Sequence, residues 1–189
     1  MENKVTFGLE KVHYATYTTT DGVVTYDAPV EIPGAVELTN EPRGDLIEFY
    51  ADNMLYYSAQ NNQGYESTLT ISNIPDHFSQ DVLGEVLDAD DEVVNELATA
   101  QGKQFAFLFQ FEGDKKAIRH VMYNCTANRP SVSSSTKTDS TEPNTNELSM
   151  VASPIEIDGK KMVKTKTTVD TSAAIYDAWY TSVYKKVVV

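Results

Sequence analysis

Phe105, Phe107, Phe109 and Phe111 alternate without a break against Gln104, Ala106, Leu108 and Gln110. A two-residue period sends successive side chains to opposite faces, so 104–111 reads as a strand that buries four phenylalanines on one side. Glu112-Gly113-Asp114 turns the chain into a second β-rich run, 117–126, and the pair reads as a hairpin. Residues 66–72 alternate as well, with Leu69 and Ile71 on one face and Glu66, Thr68, Thr70 and Ser72 on the other. Upstream, 46–50 and 54–57 read as strands around Ala51-Asp52-Asn53, and Gln60 to Gly64 reads as a loop, giving a second hairpin region over 44–72. Strands at 11–19 and 23–27 flank Asp21-Gly22, Pro33-Gly34 marks the next turn, and strands at 148–153 and 161–168 flank Asp158-Gly159.

Two stretches change period. Phe78, Val82 and Val86 with Leu83 and Leu87 form one apolar helical stripe, which predicts a helix over 76–88. Pro75 suits a first helical position and Asp76 a helix N-terminus, while Gly84 interrupts the pattern. Ile175, Trp179 and Val183 predict a helix over 172–184, capped by Ser172 or Thr171. Between the strands at 117–126 and 148–153, nine of the 20 residues 128–147 are Ser or Thr and Val132 is the one aliphatic residue, so this stretch reads as a long loop. The reading is a β domain over 1–169 followed by a C-terminal helix or arm over 170–189.

The length fits one domain with a sizeable core. No apolar run approaches the roughly 20 residues that span a bilayer as a helix. The opening residues Met1 to Thr6 lack the basic and apolar regions of a signal peptide, and Cys125 is alone, so no internal disulfide is expected and a reducing cytosol is the expected place of folding.

Charge adds what periodicity does not. From Gly44 to Gly102 there is no lysine or arginine, and these 59 residues hold 12 of the 28 carboxylates. The other 130 residues are nearly balanced, with 16 acids against 15 bases, so most of the net charge of −13 sits in one third of the chain. Such a segment does not grip phosphates, because nucleic-acid binders place Lys and Arg there.

Catalytic patterns are missing. There is no Gly-x-Ser-x-Gly elbow, no His-Glu-x-x-His and no phosphate-binding glycine loop. His13, His77 and His120 are scattered, and Cys125 beside a strand end reads as a small core residue. Asp88, Asp90, Asp91 and Glu92 imitate a calcium loop only loosely, since Val93 stands where that loop needs glycine. No enzyme activity, cofactor or metal is expected; the residues favour a structural or interaction protein of mainly β class.

Several blocks, in order, resemble the siphophage major tail protein family, whose members build the tail tube. Phe7-Gly8-Leu9 with Val12 to Ala15, then Pro33-Gly34-Ala35, then Phe49 to Asn53 with Tyr56, then Gly64-Tyr65-Glu66, then Tyr123-Asn124-Cys125 and Arg129-Pro130 carry the likeness over residues 1–153. The motif positions are Gly34, Tyr50, Asp52, Asn53, Gly64 and Tyr65, and Ser67 stands where the family pattern has glycine. The resemblance implies a β-sandwich or partly closed barrel with a flanking helix, self-assembled into hexameric rings that stack into a tube. It implies long hairpins joined edge to edge around a channel that conducts DNA during ejection. Implied partners are further copies, the tape measure, tail terminator and distal tail proteins, and DNA in transient passage, with no membrane. The implied location is the virion tail, assembled in the bacterial host cytoplasm. In that frame Asp45, Glu48, Asp52 and Glu66 are the lumen-facing candidates, repelling phosphates so that DNA slides, and the 128–147 loop is expected to touch the neighbouring ring.

Two other classes fit the same residues. One is another β-rich virion or pilus-like subunit. The other is a small-ligand or carbohydrate-binding sandwich that uses Tyr50, Tyr56, Tyr57 and Tyr65 as a platform.

Overall fold

The computed structural model describes residues 2–131 and 144–185. Along the chain these form β1 (Thr6–Thr20), β2 (Val23–Tyr26), β3 (Val30–Glu31), β4 (Ala35–Arg43), β5 (Leu46–Ala51), β6 (Met54–Gln60) and β7 (Gly64–Ile71). A short helical segment follows, then β8 (Val86–Asp88), β9 (Val93–Asn95), β10 (Phe105–Gly113), β11 (Ile118–Ala127), β12 (Asn146–Ala152), β13 (Ile155–Ile157), β14 (Lys160–Met162) and β15 (Lys164–Lys166). The fold is mainly β, as the alternation implied. Most of the Ser/Thr-rich stretch 128–147 lies outside the described residues.

One large antiparallel sheet runs β2-β1-β10-β11-β12-β7-β4, with β3 beside β1 and β15 beside β11. The sheet bends around a first core, in which Phe105, Phe107 and Phe109 meet Val12, Tyr14, Leu69, Ile71, Met122, Leu148 and Met150. β4 returns beside β1, yet the two share no ladder, so the barrel stays open. A cleft of about 370 Å³ marks this seam, lined by Phe7, Leu9, Val36, Leu38 and Phe111 among others.

The phenylalanine strand is buried on both faces. Ala106 and Leu108, on the face opposite the phenylalanines, are fully buried with Val121, Tyr123, Ile157, Trp179 and Val183 in a second core. β10 is therefore a wall between two cores, and the C-terminal segment covers its far side. That segment is clamped: the Tyr176 ring stacks under the Arg119 guanidinium at 3.7 Å and the Lys116 ammonium at 4.2 Å. Arg119 also donates to the Tyr176 carbonyl and to Gln110 Oε1, and Trp179 Nε1 donates to the His120 carbonyl at 3.3 Å.

Both expected helices are shorter than their stripes. The first is a turn of α-helix, α1 (Asp76–Phe78), running into a π-helix over Ser79–Leu83. Gly84 ends it in the left-handed conformation at φ +80°, where the Glu85 amide bonds back to the Ser79 carbonyl. Phe78, Val82 and Leu83 enter the core as the stripe required, but Val86 and Leu87 lie beyond the glycine, in exposed strand β8. The second, α2 (Ala173–Asp177), closes in a 3-10 turn over Ala178–Tyr180. Val183 is buried from non-helical chain, and neither Ser172 nor Thr171 caps the helix with its side chain. Thr171 Oγ1 instead accepts from the Thr168 amide at 2.8 Å.

Candidate assembly surface

Residues 35–71 form one long hairpin with a kink. β4 pairs with β7 from Ala35↔Ile71 to Arg43↔Gly64, and β5 pairs with β6 from Leu46↔Gln60 to Ala51↔Met54. The Gln63 amide bonds the Arg43 carbonyl across the break, so the ladder is interrupted and resumes. The break sits at two glycines with positive φ, Gly44 at +119° and Gly64 at +96°. A Cβ on Gly64 would lie 1.8 Å from the Ala152 carbonyl oxygen, and one on Gly44 equally close to the Asn61 carbonyl oxygen. Backbone must pass backbone here, which is why both positions are glycine.

Beyond the kink the hairpin leaves the core. It closes at Asp52-Asn53, both with positive φ as a type I′ turn requires. Its eight large apolar side chains, Leu46, Ile47, Phe49, Tyr50, Met54, Leu55, Tyr56 and Tyr57, are each 47–70% exposed. They present on the order of 1,000 Å² of surface, where a monomer's largest apolar patch is usually about 300–600 Å² and a standard interface covers about 800 Å² per partner.

The two faces of this ribbon differ. Register places Ile47, Phe49, Tyr57 and Ala59 on one side, and the Tyr56 ring meets Phe49 there edge-on at 6.4 Å. The other side carries Leu46, Glu48, Tyr50, Ser58 and Gln60, where Tyr50 Oη donates to Glu48 Oε2 at 3.0 Å. Glu48 thus stands opposite Ile47 and Phe49, on the more polar side.

The four sequence-selected carboxylates do not form one cluster. All are exposed, with Asp45 in the kink, Glu48 on the ribbon, Asp52 in its turn and Glu66 on β7 in the body of the sheet. Glu66 has company that the base-free window hid. It lies directly across from Glu41 on β4, and Glu37 and Glu147 both pair with Thr70 on the same polar face. Like charges directly opposite on neighbouring strands destabilise a sheet, so this face carries a cost within the monomer. The Glu37-Thr39-Glu41 alternation was the available signal, lying just outside the stretch without bases.

The remaining motif positions serve the backbone and the core. Gly34 has φ +86°, and its carbonyl accepts from the Ser72 amide. Tyr65 is half-buried beneath the Lys164 ammonium, 3.9 Å from its ring centroid. Ser67, buried in the glycine position of the motif, donates to Asn40 Oδ1 at 2.7 Å. The tyrosines expected as a platform are divided, with Tyr50 on one side of the ribbon, Tyr56 and Tyr57 on the other, and Tyr65 behind the kink.

The other chemical candidates are structural. His120 stacks flat on Phe109 at 4.8 Å, and burial followed by the charges of Lys164 and Lys166 pulls its pKa from 6.5 to about 4. Burial pushes the Cys125 thiol up and leaves it an unreactive core residue. His77 Nδ1 and Asp81 Oδ2 both meet Tyr14 Oη, tying the helical segment to β1. Asp88 Oδ1 accepts from the Asp90 and Asp91 amides in the turn between β8 and β9. No group of three metal-binding side chains occurs among the described residues, and no helix there is long and apolar enough to cross a membrane.

No protein-family model matches this chain, and no curated protein sequence matches it. A solved structure does. The fold is similar to that of the anti-feeding prophage cap, a tube terminating cap determined by cryo-EM. The match has a TM-score of 0.50 at 13% identity and covers 89% of this chain and 95% of the cap. At that identity the likeness establishes a shared fold.

Proposed function

We propose that this protein is a structural subunit of a phage tail-type tube, in which copies of the chain cover one another's hairpins. The observation that carries this reading is the β5–β6 ribbon, whose apolar side chains project from the core with nothing among the described residues to cover them. A two-stranded ribbon alone is marginal in water, and neighbouring copies joined edge to edge supply both missing strands and missing cover. The finer form is a siphophage major tail protein in hexameric rings, stacked by contacts that include the 128–147 stretch. The four selected carboxylates, together with Glu37, Glu41 and Glu147, give the channel an anionic wall that phosphates slide past. Tape measure, terminator and distal tail proteins are its further partners in the virion.

The fold likeness to a tube terminating cap favours a second reading, a subunit that closes a tube rather than extending it. Negative-stain microscopy of the concentrated full-length protein separates the two. Hollow tubes support the tube subunit, single rings support the cap, and monomers at every concentration overturn both. Phe49→Glu with Tyr57→Glu sharpens the test. Both positions are exposed, so the variant keeps the monomer's melting temperature, and it loses assembly.

A further inference from the structure

We infer that the β8–β9 hairpin docks on the lysine-bearing strand β15 of a second copy of this chain. This rests on the assembly reading above and gives the assembly a direction. β8 and β9 form a second detached ribbon, paired Val86↔Asn95, Leu87↔Val94 and Asp88↔Val93. Leu87 and Val94 share one side, Val93 lies on the other, and all three are exposed. An apolar ribbon with no third strand calls for a partner.

Charge selects the partner. The ribbon's turn carries exposed Asp90, Asp91 and Glu92 in a stretch without a single base. A second copy has the same net charge of −13, so two copies attract only where bases of one meet acids of the other. Several bases are already engaged: Lys116 and Arg119 clamp Tyr176, and Arg129 pairs with Glu96 at 2.8 Å. The densest run of bases is 160–166, with four lysines in seven residues and no acid, and the Lys164 ammonium there lies over Tyr65 of its own chain.

Within that segment Lys164 and Lys166 leave the same exposed side of β15, because Thr165 between them turns inward to accept from Tyr123 Oη. Their positive field is strong enough to bear on His120 beside them. β15 has a ladder partner on one edge, β11. Among the described residues no strand pairs with its other edge, so the strand offers a second copy a basic side and an unladdered backbone edge together. Ribbon and strand are different surfaces of one chain, so the contact is head-to-tail, the kind that builds rings or filaments.

Two charge-reversed full-length variants test this, Lys164→Glu with Lys166→Glu, and Asp90→Lys with Asp91→Lys. Circular dichroism and melting confirm that each folds, and sedimentation and negative-stain microscopy score assembly. Each alone loses assembly by about tenfold or more, and an equimolar mixture regains it, because acid faces base again at every contact between unlike variants. Wild-type assembly also falls in about 1 M NaCl, where screening acts within about 3 Å. Assembly of either variant alone at the wild-type level, or failure of the mixture to recover, overturns this contact and leaves the tube reading standing. A wild-type protein that never assembles overturns both.

Discussion

His120 couples stability to pH in a way the structure lets us size. Its ring lies flat against Phe109, is mostly buried, and faces Lys164 and Lys166, so the folded chain holds it neutral down to about pH 4. The unfolded chain takes up the proton below an ordinary pKa of 6.5. The folded pKa is lowered, so the stability is whole above pH 6.5 and declines as pH falls toward 4. At about pH 5 the unfolded state has gained about 2 kcal/mol relative to the native state, and at about pH 4 about 3 kcal/mol, at 1.36 kcal/mol per unit. Carboxylates titrate nearby, so the measurement is a difference. Urea unfolding of dilute wild type and of His120→Phe is compared at about pH 7.5 and about pH 5. The expected result is a loss about 2 kcal/mol larger in wild type, since every other group is common to the two proteins. Equal losses would refute the reasoning, as would an imidazole NMR titration of His120 near 6.5.

Gly64→Ala places a Cβ 1.8 Å from the Ala152 carbonyl at φ +96° and should cost about 3 kcal/mol or more. Gly22→Ala, also at positive φ but with nothing within 4 Å, should cost about 1 kcal/mol, and thermal melting ranks the two. Trp179→Ala empties a buried site and removes the stack on Tyr184 and the bond to the His120 carbonyl. A loss of about 3–5 kcal/mol is expected in denaturant unfolding, and a loss below about 1 kcal/mol would show that the second core does not depend on the C-terminal segment.

The sequence was most legible where one period ran unopposed. The alternation at 66–72 and at 104–111 marked β7 and β10, and Asp21-Gly22 and Asp158-Gly159 marked turns whose residues have the positive φ they need. It misled where two periods shared residues. Val86 and Leu87 extend the Phe78 stripe in spacing, yet Gly84 ends the helix before them and they become strand. Val183 is spaced from Trp179 like a helical neighbour and is buried, but it reaches the core from non-helical chain. Ala106 and Leu108 already broke the polar side of the phenylalanine strand, the trace of the second core. The candidate surface was half-visible. The window without bases framed Glu48 and Glu66, but Glu37, Glu41 and Glu147 reach the same sheet face from outside it, through strand pairing between distant segments.

For the assembly proposed above, the glycine kink between sheet and ribbon has a kinetic consequence. A two-stranded ribbon that projects past the kink without cover gives up its remaining freedom at the moment a neighbour covers it. The first pair of copies bears that ordering cost with little cover in return, whereas each later copy meets an edge already fixed in place. On that assembly reading, growth then follows a lag that shortens as the subunit concentration rises or as preformed ends are added.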